Sequence, residues 1–334
     1  MKFLVSIPGL AHTIPMNHYV PDALRSLGHE VVVFNHERDN WLEKIREKTS
    51  KKRFIDYKNR QLMELIEKEK PDVFFSIYGR IHGAEIIKKI KKKNIITASW
   101  WLNDPFELGF QLAPAAEYDF YFTNSLYTHD DYRAKGVKNI HFLPVGIMPD
   151  LHKPMTERKY KYDVLFAGDH KPNREEILVD LIQKGVKVAI MGPWRKRKLK
   201  KENEEILAPF FINRGFFTPQ QMVEAFQQSK IVLNVHTWLG IFDYGVNPRL
   251  FEASGSGAFQ LCDDKKEISM LFEPQKEIVI YKKLEELPQL INYYLLHDKE
   301  REAIAEAAYQ RVLRDHTYKQ RMETVLSLIS ARKK

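Results

Sequence analysis

The sequence predicts an α/β protein built from two doubly wound parallel sheets, one in each of two domains. Three observations lead there. Short apolar runs alternate with amphipathic stretches along most of the chain, the signature of βα units. The 334 residues exceed what one average core supports and suit two domains. A proline-dense segment, Pro144-Val145-Gly146-Ile147-Met148-Pro149-Asp150 followed by Pro154, divides two alternating series of similar size.

In the first series, residues 3–7 form an apolar run closed by Pro8-Gly9 and read as a first buried strand. Strands follow at 30–34, 73–77, 95–99, 120–123 and 140–143. Helical patterns lie between them at 17–27, 57–68, 84–92 and 128–135, and Gly28 and Gly136 stand where glycines end helices. In the second series, strands are expected at 163–167, 186–191, 231–235, 259–261 and 278–281, with helices at 174–184, 219–228, 248–254 and 299–314. Ligands of such sheets bind outside the carboxyl ends of the strands, so chemistry is expected in a cleft between the two facing domains.

Composition excludes several classes. The chain is 44% hydrophobic and 29% charged, as a globular protein is and a disordered one is not. Its single Cys allows no internal disulfide and no Cys-rich metal site, which fits a reducing, cytoplasmic setting. No apolar run reaches the roughly eighteen residues of a membrane span. The start of the chain is too short in apolar length for a signal peptide and has no small-residue cleavage site. A net charge of +9 is concentrated in Lys88-Lys89-Ile90-Lys91-Lys92-Lys93 and Arg195-Lys196-Arg197-Lys198-Leu199-Lys200-Lys201. Such runs are solvated helix ends or attract an anionic membrane or polymer. Nucleic acid is not favoured, because only Trp194 supplies an aromatic beside the second run.

There is no P-loop, no G-x-G-x-x-G after the first strand, no H-E-x-x-H and no G-x-S-x-G, and the twelve His show no ligand-like spacing. No metal site is expected. The informative segment is Asn247-Pro248-Arg249-Leu250-Phe251-Glu252-Ala253-Ser254-Gly255-Ser256-Gly257. Asn247 reads as an N-cap and Pro248 as the first helical residue. A short helix cut off by glycines would aim N–H groups at a diphosphate, with Arg249 adding a charge-assisted contact. Glu252, one turn further, suits a ribose diol; the plainer reading is a surface Glu before a glycine stop.

A second candidate is Phe166-Ala167-Gly168-Asp169-His170-Lys171-Pro172-Asn173-Arg174-Glu175-Glu176. Gly168 lets backbone approach a ligand, Asn173 with Glu176 reads as a helix cap, and His170, Lys171 and Arg174 are placed to meet phosphate. Gly192 and Trp194 end another strand and could wall a nucleobase, Thr218-Pro219-Gln220-Gln221 is a capping box, and His236 follows a strand at the cleft edge. In the first half, Trp100-Trp101-Leu102-Asn103-Asp104-Pro105-Phe106 places Asp104 as a candidate base beside sugar-stacking aromatics, and the loop after the first strand offers His12. A buried Trp pair with an Asp-Pro turn, and a polar loop His, are the structural alternatives.

Asn247-x-Arg249-x-x-Glu252-Ala253-x-x-x-Gly257-Ala258-Phe259 resembles the CgeB/YkvP-type spore-maturation glycosyltransferases, a group-1 branch with the GT-B fold. Val164-Leu165-Phe166-Ala167-Gly168, Ile231-Val232-Leu233-Asn234-Val235-His236, Leu271-Phe272-Glu273 and Arg311-Val312-Leu313-x-x-His316-Thr317-Tyr318-x-x-Arg321 agree in order. So does Trp101-x-Asn103-Asp104-Pro105, with Asn103 replacing an acid. The resemblance implies an acceptor-side domain over 1–150, a nucleotide-sugar domain over 151–315, and a final segment, 316–334, whose helix crosses back to the first domain. It implies metal-independent transfer, without a cofactor, from a nucleoside-diphosphate sugar, UDP-sugar foremost, to a glycan, glycoprotein or lipid-linked hydroxyl. Glu252 would hold the ribose and the Asn247–Arg249 turn the diphosphate. Eight positions before Glu252, where retaining relatives carry Glu, this chain has Tyr244, so the stereochemical outcome does not carry over. An inactive relative serving as a binding or structural protein of a surface or spore layer is the alternative.

Overall fold

The computed structural model describes residues 1–9, 16–37 and 40–332, with the side chains of residues 110 and 111 left aside. His12 lies outside the described residues. Two compact units are present: Met1–Val145 with the chain from Tyr318 onward, and Gly146–Thr317.

The first unit runs β1 (Lys2–Ile7), α1 (Met16–Ser26), β2 (Glu30–Asn35), α2 (Trp41–Thr49), α3 (Lys51–Glu69), β3 (Val73–Ile77), α4 (Ala84–Lys91), β4 (Ile96–Trp101), α5 (Leu108–Ala115), β5 (Phe120–Thr123), α6 (His129–Ala134) and β6 (Ile140–Phe142). Its six strands are parallel in the order β2-β1-β3-β4-β5-β6. β3 is buried at every residue, as both faces of a helix-covered parallel sheet must be.

The second unit runs β7 (Tyr162–Ala167), α7 (Pro172–Gln183), β8 (Val188–Met191), α8 (Lys201–Leu207), β9 (Phe211–Asn213), α9 (Pro219–Gln227), β10 (Ser229–Asn234), α10 (Arg249–Gly255), β11 (Gln260–Asp263), α11 (Ile268–Leu271), β12 (Val279–Tyr281), α12 (Leu287–Leu296) and α13 (Asp298–Asp315). Its parallel strands are ordered β12-β11-β10-β7-β8-β9. Counted from β7, this is the 3-2-1-4-5-6 order of dinucleotide-binding sheets, and the order reverses between β7 and β10. Val164, Phe166, Ile190, Ile231 and Leu261 fill one side of this sheet. Leu165, Met191, Val232 and Ala253 fill the other.

The last helix, α14 (Tyr318–Arg332), packs in the first unit. Tyr318 lies 5.3 Å from the ring of Tyr19 on α1 and 6.2 Å from Trp100 on β4. Arg321 donates to the Pro144 carbonyl at 2.7 Å, and Arg332 pairs with Asp119 at 2.6 Å.

Several expectations need correction. Pro172 takes the first helical position of α7 with Lys171 as cap, so Asn173 is inside the helix; proline's fixed φ suits the first turn. At α10, Pro248 already has helical φ and ψ, and the Asn247 side chain accepts the Leu250 N–H at 3.2 Å, so Asn247 caps the helix as read. The predicted helix at 57–68 is the second part of a longer one, α3. The elements α2, α5, α8, α11, α12 and β9 add to those expected.

Candidate functional site

Where the strand order of the second sheet reverses, the ends of β7 and β10 leave a crevice. Gly168 follows β7 directly and accepts the Trp194 indole N–H at 2.9 Å. Gly192, with φ +148, packs so closely that an added Cβ would lie 1.9 Å from the Gly168 carbonyl oxygen. Only glycine fits there, so the turns after β7 and β8 lie in direct backbone contact. Trp194 is 1% exposed and has Phe166, His170 and Phe211 around its ring. It is a core residue supporting Gly168, not a wall open to a nucleobase.

The basic residues after β7 are mostly engaged within the protein. Arg174 is buried, donates twice to the Val235 carbonyl and pairs with Asp169 at 2.5 Å. The guanidinium thereby ties the end of β10 to the turn after β7 and is not available to a phosphate as expected. His170 bonds Glu175 at 2.6 Å, and Glu175 also accepts from Asn203 at 2.7 Å. Lys171 is one-third exposed and pairs with Asp169 at 3.2 Å.

His236, immediately past β10, is wholly buried and does not reach a ligand surface. Its Nε2 accepts the Asn247 backbone N–H at 3.1 Å, and its Nδ1 faces Asp263 Oδ1 at 2.8 Å. The first bond requires an unprotonated Nε2, so the ring is the neutral Nδ1–H tautomer. Burial, working against the Asp263 charge, lowers its pKa. Asp263 itself is held down to about 2, because His236 and Lys265 outweigh its own burial. Lys265 Nζ lies 2.8 Å from Asp263. His236, Cys262 and Asp263 present ligand atoms within 4.8 Å of one another, but Lys265 already supplies the positive charge a metal would bring.

This network places α10. Asn247 is fixed by His236 on its backbone and by Asn234 at the end of β10, which accepts its amide at 2.8 Å. The Leu250 N–H turns back to Asn247, and the Phe251 and Glu252 N–H groups to Pro248. Most N–H groups of the first turn are therefore already bonded, which corrects the expectation of an array of free N–H donors. Arg249 Nη1 pairs with Glu252 Oε2 at 2.7 Å, touches the Met222 sulfur, and its guanidinium sits 5.4 Å from the Phe226 ring. Glu252 is 6% exposed; its Oε1 makes no hydrogen bond to the described residues. At the end of α10, Gly257 has φ +70, and a Cβ there would meet Pro154 at 2.6 Å. Tyr244 is half-buried, with its carbonyl taken by the Trp238 indole at 2.9 Å.

In the first unit, Asp104 is fully buried and receives hydroxyls from Thr123, Thr128 and Tyr132. Burial raises its pKa to about 6, against those hydrogen bonds. A carboxylate so enclosed does not touch an acceptor, which corrects its expected role as base. Trp100 and Trp101 are likewise at 0% exposure and stack on no ligand.

Sequence reasoning missed Asp169, Asn234, Asp263 and Lys265. Asp263 had one readable signal, an acid at the carboxyl end of an apolar strand. Lys265, two residues on, and His236, 27 residues before it, showed nothing in the sequence of their pairing with it.

The fold and this crevice define the class: paired parallel α/β sheets of the GT-B glycosyltransferase type. Residues 174–327 match the model of the glycosyl transferase-like family. The chain is 23% identical over 296 residues to the spore protein CgeB of Bacillus subtilis, covering 84% of this chain and 90% of that protein. Among solved structures it resembles a sucrose-phosphate synthase from Thermosynechococcus elongatus (TM-score 0.74, 11% identity, 99% of this chain and 100% of that one). It also resembles Anabaena HepE in complex with UDP-glucose (TM-score 0.68, 13% identity, 99% and 100%). A glycosyltransferase from Rickettsia africae gives a TM-score of 0.72 at 13% identity, over 98% and 97% of the two chains.

Proposed function

We propose that the protein transfers a sugar from a UDP-sugar to an acceptor hydroxyl on a glycan, glycoprotein or lipid-linked molecule, in the cytoplasm and without a metal. One observation carries the reading. The Arg249–Glu252 pair stands at the strand-order reversal of a dinucleotide-type sheet, on a helix that two buried networks hold in place. Anabaena HepE, which has this fold, binds UDP-glucose, and that supports testing uridine first.

Glu252 Oε1 accepts from the ribose hydroxyls, while Arg249 holds the other oxygen in place. As the anomeric bond breaks, negative charge grows on the diphosphate. Arg249, 20% exposed, and Lys171 are the cations at hand to stabilise it.

The test is a thermal-shift panel of nucleoside diphosphates and their sugars on the wild type and Glu252→Ala, with UDP release followed in parallel. A ligand at 100 times its Kd should add about 2.7 kcal/mol of stability. A shift specific to uridine that Glu252→Ala abolishes is expected; a shift unaffected by the substitution would displace the site from α10. A second reading, a non-catalytic nucleotide-binding protein of a spore or surface layer, is favoured by Tyr244 and by the enclosure of Asp104. It predicts binding without turnover.

A further inference from the structure

The helix α2 is built inside out. Glu43 is its buried residue and pairs with Lys58 of α3 at 3.1 Å, both side chains nearly inaccessible. Asn40 caps the helix through the Glu43 N–H. This fixed inner contact leaves Trp41, Leu42 and Ile45 on the outside, at 66%, 57% and 53% exposure. At about 100° per residue the three share one arc of the helix. Lys44 and Lys48 border that arc on one side and Arg46, laid over the Tyr57 ring at 3.8 Å, on the other. Lys51, Lys52 and Arg53 continue the basic border into α3, all exposed.

We propose that this face of α2 docks on an anionic lipid surface. Exposed apolar side chains clustered on one rigid helix, one of them Trp, mark a binding surface, and a basic rim around them matches anionic headgroups. A second copy of the chain fits poorly, because a two-fold contact would set Lys44 and Lys48 against their own mates. Three side chains on a nine-residue helix also fall well short of the roughly 800 Å² per partner of a stable protein interface. A bilayer needs no such complementary area. This inference stands apart from the transferase reading, and its test involves no turnover.

The test is flotation of the full chain with vesicles of phosphatidylcholine, with and without about 30 mol% phosphatidylglycerol. Trp41 is the exposed one of the five tryptophans, the other four being buried, so quenching by brominated lipid reports on α2 directly. Binding to the anionic vesicles, weakened by salt and accompanied by quenching, is expected. Trp41→Ser with Ile45→Ser, and separately Lys44→Glu with Lys48→Glu, should each lower the partition at least about tenfold. Lys196→Glu with Lys198→Glu, in the other exposed basic run, should leave the partition and the quenching as they were. The proposal is overturned by no binding, by equal binding to neutral vesicles, by loss only in the Lys196/Lys198 variant, or by a concentration-dependent dimer that Trp41→Ser removes.

Discussion

At the carboxyl edge of the first sheet, the Ser6 hydroxyl lies between His36 at 2.9 Å and His82 at 2.8 Å, all three buried. Burial lowers both imidazole pKa values, that of His82 to about 3. Further along this edge Asp104 is moved the other way, toward its neutral form. At the matching edge of the second sheet, Asp263 is charged, flanked by Lys265 and by His236, and Arg174 bridges to Asp169 beside it. At these carboxyl edges, the first sheet buries its polar groups by discharging them and the second by pairing charges. The charged edge holds the start of α10 in place through Asp263, His236 and Asn247.

The comparison breaks most severely at Asp263. In Asp263→Ala, Lys265 and His236 lose their partner inside the protein, and removing one member of a buried pair costs about 3–5 kcal/mol. Urea unfolding should show that loss, with uridine binding weakened because Asn247 is no longer held. A variant as stable as the wild type would mean the charges at this edge are not structurally paired. Next in size is Gly192→Ala, where backbone must move away from the Gly168 carbonyl; about 3 kcal/mol is expected in the same unfolding curves. A neutral outcome would remove the close approach of the two turns from the account.

The smallest effect sharpens the contrast through pH. His36, His82 and His129 have folded pKa values below the unfolded one, His129 at about 4. Their contribution is complete above the unfolded value of about 6.5 and is lost as pH falls toward the folded values. Asp104 has the opposite sign: its raised pKa gives stability that is present below 3.8 and lost as pH rises through about 6. Between about pH 4 and 6 the two oppose each other. In Asp104→Asn the opposing group is gone, so stability should rise more steeply with pH, by at most about 1.4 kcal/mol per pH unit. An unchanged slope would show that Asp104 titrates as it does in the unfolded chain.

Much of this architecture is legible in the residues. Strands expected at 73–77 and 120–123 are β3 and β5 with the same bounds, because each is a short apolar run between turn signals. The capping box at Thr218 and Gln221 forms as read, since all its partners lie within four residues. The helix α12, Leu-Pro-Gln-Leu-Ile-Asn-Tyr-Tyr-Leu-Leu, escaped because it is apolar on most sides and shows no clear helical stripe. In α5 the same lack of contrast combines with an internal Pro114. The helix α2 escaped for the opposite reason: its apolar residues mark the outside, so the pattern pointed to no core.

Local order is what the sequence by itself determined: the alternation of strands and helices, the division into two units, and the start of the short helix α10 after Asn247. Those depend on interactions between neighbours a few residues apart, which composition and spacing express. The protonation and availability of the site residues were decided only by the tertiary structure. Arg174 was spent on a carbonyl 61 residues away, His236 was neutralised beside an aspartate 27 residues on, and Asp104 was enclosed by hydroxyls from β5 and the segment after it. Desolvation and charge pairing act through space, and parallel strands joined by helices bring together side chains that lie far apart in the chain.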